Sequence, residues 1–334
     1  IPAVASGVRT ASAMRDHYGR EAPRAMRPCR RACVRPHFRY ASVAMSADPT
    51  PATDTEAEPG DPAWRTPDRL AALRAEIDRL DGLIHQLVMQ RAEVVGALAE
   101  LRVKRGAPFR PAREAEIMRR LLANHRGRLP KPTLVGIWRE MIMGMTLIQA
   151  PFPVAVWSPE AGSGHVALAR EHFGTAVPLR WMRTTAQVLR AISAGEAAVG
   201  VLPLPQDDPN AEGANDPWWI ALMRGDGSGL SVIARLPFVT LRPEGAPRAQ
   251  ALVVGALAPE ASGEDRSLVA FEAAPELSRA RLSDLLAAAA LRPSSLVLHR
   301  SERGPTACLA EVDDLVEAGD RRLAALIEAG LARP

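Results

Sequence analysis

Six residues of this chain have types and spacings that could do chemistry together: Arg74, Arg91, Arg102, Arg113, Glu114 and Gln149. Guanidinium forks hold carboxylates bidentately, so converging arginines point to a small acid with two negative charges. Glu114 could accept a hydrogen bond from a ligand hydroxyl, and Gln149 donates without charge. No nucleophile with its base, no metal-ligand cluster and no glycine-rich cofactor loop accompanies them in sequence. The expectation is chemistry done by positioning and fixed charge, with no cofactor.

Three helical segments must carry these residues. From Asp68 to about Lys104, apolar residues recur at three- and four-residue steps (Leu70, Leu73, Ile77, Leu80, Ile84, Leu87). Pro67 precedes this run and Pro108 follows it. A second helix is expected from Pro111 to before Gly127, and a third from about Pro132 to Gln149, stopped by Pro151 and Pro153. Arg91 and Arg102 lie three turns apart on one face, about 16 Å from each other. Arg74 is about 25 Å from Arg91 and rotated by about 100°. It reaches the same small ligand only from a second chain whose helix runs antiparallel alongside. A helix this long also needs a partner for its apolar stripe, and a second copy is the simplest one.

Composition narrows the class. The chain has 334 residues and a formal charge of +4, but residues 1–44 hold nine Arg against two acids, which leaves −3 for the rest. The basic balance therefore gives no support for nucleic-acid binding. No apolar run is long enough to span a bilayer. Cys29, Cys33 and Cys308 make no disulfide framework, which fits a reducing, cytoplasmic setting, and no metal site is expected at the first two. Residues 1–67 are expected to be a disordered leader, basic and then acidic. Its first 44 residues are read as sequence upstream of a start at Met45, with a transit segment as the alternative.

After residue 151 the texture becomes α/β. Strands are expected at Pro153–Trp157, Ala197–Leu204, Leu230–Leu236, Ala251–Leu257, Arg266–Glu272, Ser295–Arg300 and Ala307–Val312. Helices are expected at Val166–Phe173, Ala186–Ala194, Ser278–Leu291 and Asp320–Ala329, with 205–229 a loop. The expected fold is multi-domain. An all-α three-helix domain at 68–150, built as an intertwined dimer, is followed by a small α/β lobe at 152–240 and an α+β ferredoxin-like module at 249–334.

The order and spacing of Leu70–Asp78, Gln90-Arg91, Pro111-Ala112-Arg113-Glu114 and Ile142–Gln149 resemble the all-helical, bacterial-type (type II) chorismate mutase family over about residues 68–150. The resemblance implies a homodimer in which Arg74 of one protomer and Arg91 of the other hold the carboxylates of chorismate. Arg113 joins that polar shell, and Glu114 meets the ring hydroxyl. Gln149 and Arg102 face the ether oxygen. Arg102 stands where the family usually has lysine, and Met145 where it has a small polar residue.

Residues 153–204 resemble the first lobe of prephenate dehydratase through Val154-Ala155-Val156, His165, Phe173-Gly174 and Gly195–Pro203. They depart from it at Gly162-Ser163-Gly164 and Leu204-Pro205-Gln206, which implies a degenerate lobe with His165 in a structural place. Residues 250–334, with Glu302-Arg303-Gly304-Pro305, resemble a regulatory module that binds an aromatic amino acid as effector. The reading is a chorismate mutase of aromatic amino-acid biosynthesis. The alternatives are a bifunctional mutase–dehydratase and a non-catalytic metabolite sensor.

Overall fold

The computed structural model describes residues 67–101, 108–160, 162–207, 216–224, 229–240, 242, 244–258, 260–301, 304–317 and 319–328. The expected leader, Cys29, Cys33, Met45, Arg102, Glu302 and Arg303 lie outside the described residues.

Three helices stand where periodicity and proline place them: α1 (Pro67–Leu101), α2 (Pro111–Asn124) and α3 (Lys131–Gln149). Pro111 opens α2 because its missing N–H costs nothing in a first turn. The 35 residues of α1 span about 52 Å. Residues 69–87 of it are exposed throughout. Partial burial begins at Val88 and recurs at Arg91, Ala92, Val95, Gly96 and Ala99, the half of the helix that lies along the bundle. Ile77, Ile84, Leu87 and Val94 are 56%, 58%, 64% and 69% exposed, so the apolar stripe has no cover among the described residues.

The rest is built on two sheets. The first contains β1 (Val154–Trp157), β2 (Leu179–Met182), β3 (Val199–Pro203), β4 (Ser231–Leu236) and β5 (Ala251–Gly255), in the order β2-β1-β3-β5-β4. The first three strands run parallel; β5 is antiparallel to β3, and β4 to β5. β1 and β3 are buried along their whole length, as expected for central parallel strands with both faces covered. Helices α4 (Gly164–Phe173) and α5 (Thr185–Ser193) supply crossovers. Thr184 and Gln187 form a capping box at the start of α5. A Cβ at Gly200 would come within 2.4 Å of Val188 Cγ1, so glycine lets α5 lie directly on β3.

The second sheet is antiparallel, with β6 (Ser267–Ala273), β7 (Pro293–His299) and β8 (Thr306–Val312) in the order β6-β8-β7. Helices α7 (Arg279–Ala288) and α8 (Arg321–Glu328) cover one face, through a core of Phe271, Leu282, Leu286, Cys308 and Leu326. Leu309 and Ala307 on the other face join a core with Trp157, Leu202, Trp218 and Val254 of the first sheet's side.

Three expectations change. Ala251–Gly255 is a strand of the first sheet, so the C-terminal module loses its first expected strand and starts at β6. The pairing with β3 reaches across some fifty residues, and no local pattern encodes it. The expected loop at 205–229 contains α6 (Trp219–Arg224), a helix too short to show a period. Buried Trp218 and Trp219 hold it, with Trp218 Nε1 donating to the Pro203 carbonyl at 3.1 Å. β2 was not expected either, because it is an edge strand whose Arg180 and Trp181 are exposed.

The helical part is welded to the first sheet. Phe109, Phe152 and Phe173 form a buried aromatic cluster with ring centres 5.5–6.0 Å apart, shared with Met143 of α3 and with Val154 and Val253. Glu140 of α3 accepts from the Thr175 backbone N–H at 2.9 Å, just past the end of α4. Gly174 there has φ +76°, a conformation that favours glycine, and a Cβ would stand 2.5 Å from Glu140 Oε2, so a larger residue would also push that carboxylate aside.

Candidate active site

Arg91 lies on the half of α1 that meets α3, and it is partly buried. Its Nη1 is shut off from solvent and has no hydrogen-bond partner among the described residues. Burial pushes its pKa down. A guanidinium N–H denied both water and a partner is costly unless something anionic arrives.

Gln149 ends α3, half-buried, with Nε2 donating to the Met145 carbonyl at 3.3 Å. Met145 itself is 6% exposed and belongs to the core. Arg113 is exposed in the first turn of α2, where Nη1 donates to Glu116 Oε2 at 2.7 Å. Arg74 is exposed on the unpaired half of α1, and the single chain does not bring it to Arg91. Arg102 falls outside the described residues.

Glu114 differs from the expectation of an open acceptor. It is 4% exposed, and its Oε2 accepts from Arg139 Nη1 at 2.5 Å. Burial raises the Glu114 carboxyl pKa while the Arg139 guanidinium opposes that rise. Glu114 therefore has only its other oxygen to offer a ligand.

Arg139 was not anticipated. It is 3% exposed, and its guanidinium carbon lies 4.3 Å from the centre of the Phe238 ring. Beside it, the His172 imidazole is buried against Phe109, Phe173 and Phe238. Burial holds His172 well below its ordinary pKa of 6.5, and the Arg139 charge adds to this. A signal existed in the sequence: Arg139, Ile142, Met143 and Thr146 are spaced three, four and seven apart, and all four are buried. A charge on that stripe must have a partner.

His165, in the first turn of α4, is buried with its ring 4.9 Å from that of Trp157. It borders a cavity of about 150 Å³ with Pro203, Gln206, Arg248 and Gln250. Among the described residues, no group of three or more His, Cys, Asp or Glu could hold a metal ion, and no helix is long and apolar enough to cross a membrane.

Residues 73–150 match the family model for chorismate mutase type II. The chain therefore carries a domain of that family in its helical part. It is also similar to the bifunctional chorismate mutase/prephenate dehydratase of Pseudomonas aeruginosa, 31% identical over 153 residues, which is 44% of this chain and 41% of the relative. The Aquifex aeolicus protein of the same description is 32% identical over 142 residues, 41% of this chain and 39% of that one. The matched stretch thus spans about two fifths of these relatives' length. A prephenate dehydratase structure from Streptococcus mutans overlaps 55% of this chain and 94% of its own, at 12% identity and a TM-score of 0.39, too slight a likeness to argue from.

Proposed function

We propose that this chain is a chorismate mutase, isomerising chorismate to prephenate in aromatic amino-acid biosynthesis, and that it works as a homodimer. The observation that carries this is Arg91: a half-buried guanidinium with an N–H unmet among the described residues, on the long helix α1, whose apolar face those residues leave uncovered. A second copy laid antiparallel on α1 covers that face and delivers its Arg74 toward Arg91. Two guanidiniums then grip the two carboxylates of one substrate.

The reaction is unimolecular and needs no cofactor or proton transfer. The protein contributes by selecting the compact reactive conformer. It also sets positive charge and an amide N–H where negative charge grows on the ether oxygen. In this reading Arg102 and Gln149 serve the ether oxygen, Arg113 lies in the polar shell, and Glu114 meets the ring hydroxyl with its remaining oxygen. Each such fixed donor is worth roughly 2.7–4 kcal/mol in comparable sites. Met145, turned into the core, makes no carboxylate contact. The strand order β6-β8-β7 with two helices on one face supports a ferredoxin-like reading of residues 267–328. That module is the place for an aromatic amino-acid effector.

The test is loss of chorismate absorbance, with prephenate detected by its conversion to phenylpyruvate in acid. A mixed dimer of Arg74→Ala with Arg91→Ala chains should keep one working site of two, because both lesions fall in the other. Complete inactivity of the mixed dimer rejects shared sites. A second reading, mutase plus dehydratase, is favoured by the two activities for which the matched relatives are named. It requires phenylpyruvate to form without acid.

A further inference from the structure

Arg139 is not one of the residues expected to touch the substrate, yet it is among the most deeply buried charges described. Its Nη1 is committed to Glu114 Oε2, while its Nη2 is buried with no hydrogen-bond partner among the described residues. Phe238 and His172, which flank it, belong to the first sheet's side and to α4. One guanidinium therefore joins the helical domain to the α/β half.

We propose that Arg139 is a positioning residue of the mutase site: braced by Phe238 and His172, it fixes the Glu114 carboxylate that meets the substrate hydroxyl, so the α/β half acts on the reaction through this contact. The inference rests on the mutase reading and deepens it. As a carboxylate, Glu114 accepts with both oxygens and holds the substrate hydroxyl by a charge-assisted bond; protonated, it turns one of them into a donor and keeps only a neutral, weaker acceptor. Burial drives it toward the protonated form, and Arg139 is the one charge among the described residues that opposes this. The neighbouring charges are engaged elsewhere: Arg113 with Glu116 and Glu140 with the backbone of Thr175. His172 faces Arg139 rather than Glu114 and stays neutral, so it adds no second cation.

The experiment uses the full chain with chorismate as substrate, following kcat and KM from about pH 6 to about pH 9. Arg139→Met should lose roughly ten- to a hundredfold in kcat/KM at the acid end. It should recover as the pH rises and Glu114 gives up its proton. Arg139→Lys should keep most of the activity, and Glu114→Gln should be slow with a flat profile. A merely structural Arg139 would lower thermal stability and activity together, with no recovery at high pH. That outcome, or wild-type rates at every pH, overturns the proposal. Should Arg139→Met not fold, Phe238→Leu keeps the charge pair and loosens its brace; an unchanged pH profile there also overturns it. A wild-type chain that leaves chorismate intact removes the mutase reading itself. An active wild type with indifferent Arg139 variants removes only this inference.

Discussion

Replacing Arg91 with methionine should make the fold more stable and the site useless. Met keeps the long apolar stem but removes the charge and the stranded N–H at Nη1. An unmet buried donor costs about 1–3 kcal/mol. The rest of this guanidinium is half-exposed and still solvated, so the low end applies, about 1 kcal/mol. In a protein of this size that corresponds to a melting point higher by roughly 2 °C. Urea unfolding at fixed protein concentration measures it, as a shift of midpoint with unchanged slope. Turnover should fall by at least about a hundredfold in the same variant. A dicarboxylate analogue at about a hundred times its Kd should stabilise the wild type by about 2.7 kcal/mol and the variant hardly at all. Arg91→Met that is clearly less stable than wild type would mean the guanidinium has a structural partner after all. The site built on it would then lose its central cation.

Ile84→Glu places a carboxylate on the uncovered stripe of α1, where the side chain is 58% exposed in one chain. If a second copy lies there, the unpaired buried charge costs several kcal/mol, and sedimentation should show monomers without turnover; an intact, active dimer contradicts the shared-helix arrangement. His172→Gln tests the buried imidazole. The folded chain holds His172 well below 6.5, so its neutral form is the one that fits. The stability it allows is full above about pH 6.5 and falls as the pH drops below that value, by up to about 1.4 kcal/mol per unit. Glu114 has the opposite sign, because its raised pKa makes folding easier as the pH falls. The difference in urea midpoint between wild type and His172→Gln therefore isolates the histidine: it should shift against the wild type on acidification, and parallel curves would show that His172 takes up its proton in the fold as readily as in the unfolded chain.

The helices were legible because their signals are local. Apolar residues at three- and four-residue steps and the flanking prolines locate α1, α2 and α3 to within a few residues. The same local logic found β1, β3 and β4. It missed β2, a four-residue edge strand whose apolar residues Arg180 interrupts, and α6, whose six residues show no period. It also misassigned β5, since a strand's own sequence says that it is a strand and not which sheet it joins. At the site, residue types gave the arginines but not their company. Arg113 answers Glu116 one turn along α2, whereas Glu114 answers Arg139 of α3, a contact made only by folding the chain back on itself. Arg74 shows the remaining gap. Its place in the proposed site depends on a second chain, which one sequence can suggest only through an unpaired stripe.

The joint between helices and sheet bears on why the α/β half stays attached to the helices. Phe109, Phe152, Phe173 and Met143 are each at most 1% exposed, and the cluster draws on both halves. Each such side chain contributes about 1.5–3 kcal/mol by leaving water. Much of that would be lost if the helices stood alone, and the total is comparable to the whole stability of an ordinary domain, about 5–15 kcal/mol. The charge pair sharpens the argument. Glu114 and Arg139 are tolerable in the interior only while geometry keeps them together, and Phe238 and His172 form one wall of that enclosure. Removing one partner of such a pair costs far more than the pair itself returns. The α/β half is thus kept by the packing needs of α2 and α3, the helices that carry Glu114 and Gln149, whether or not it retains chemistry of its own.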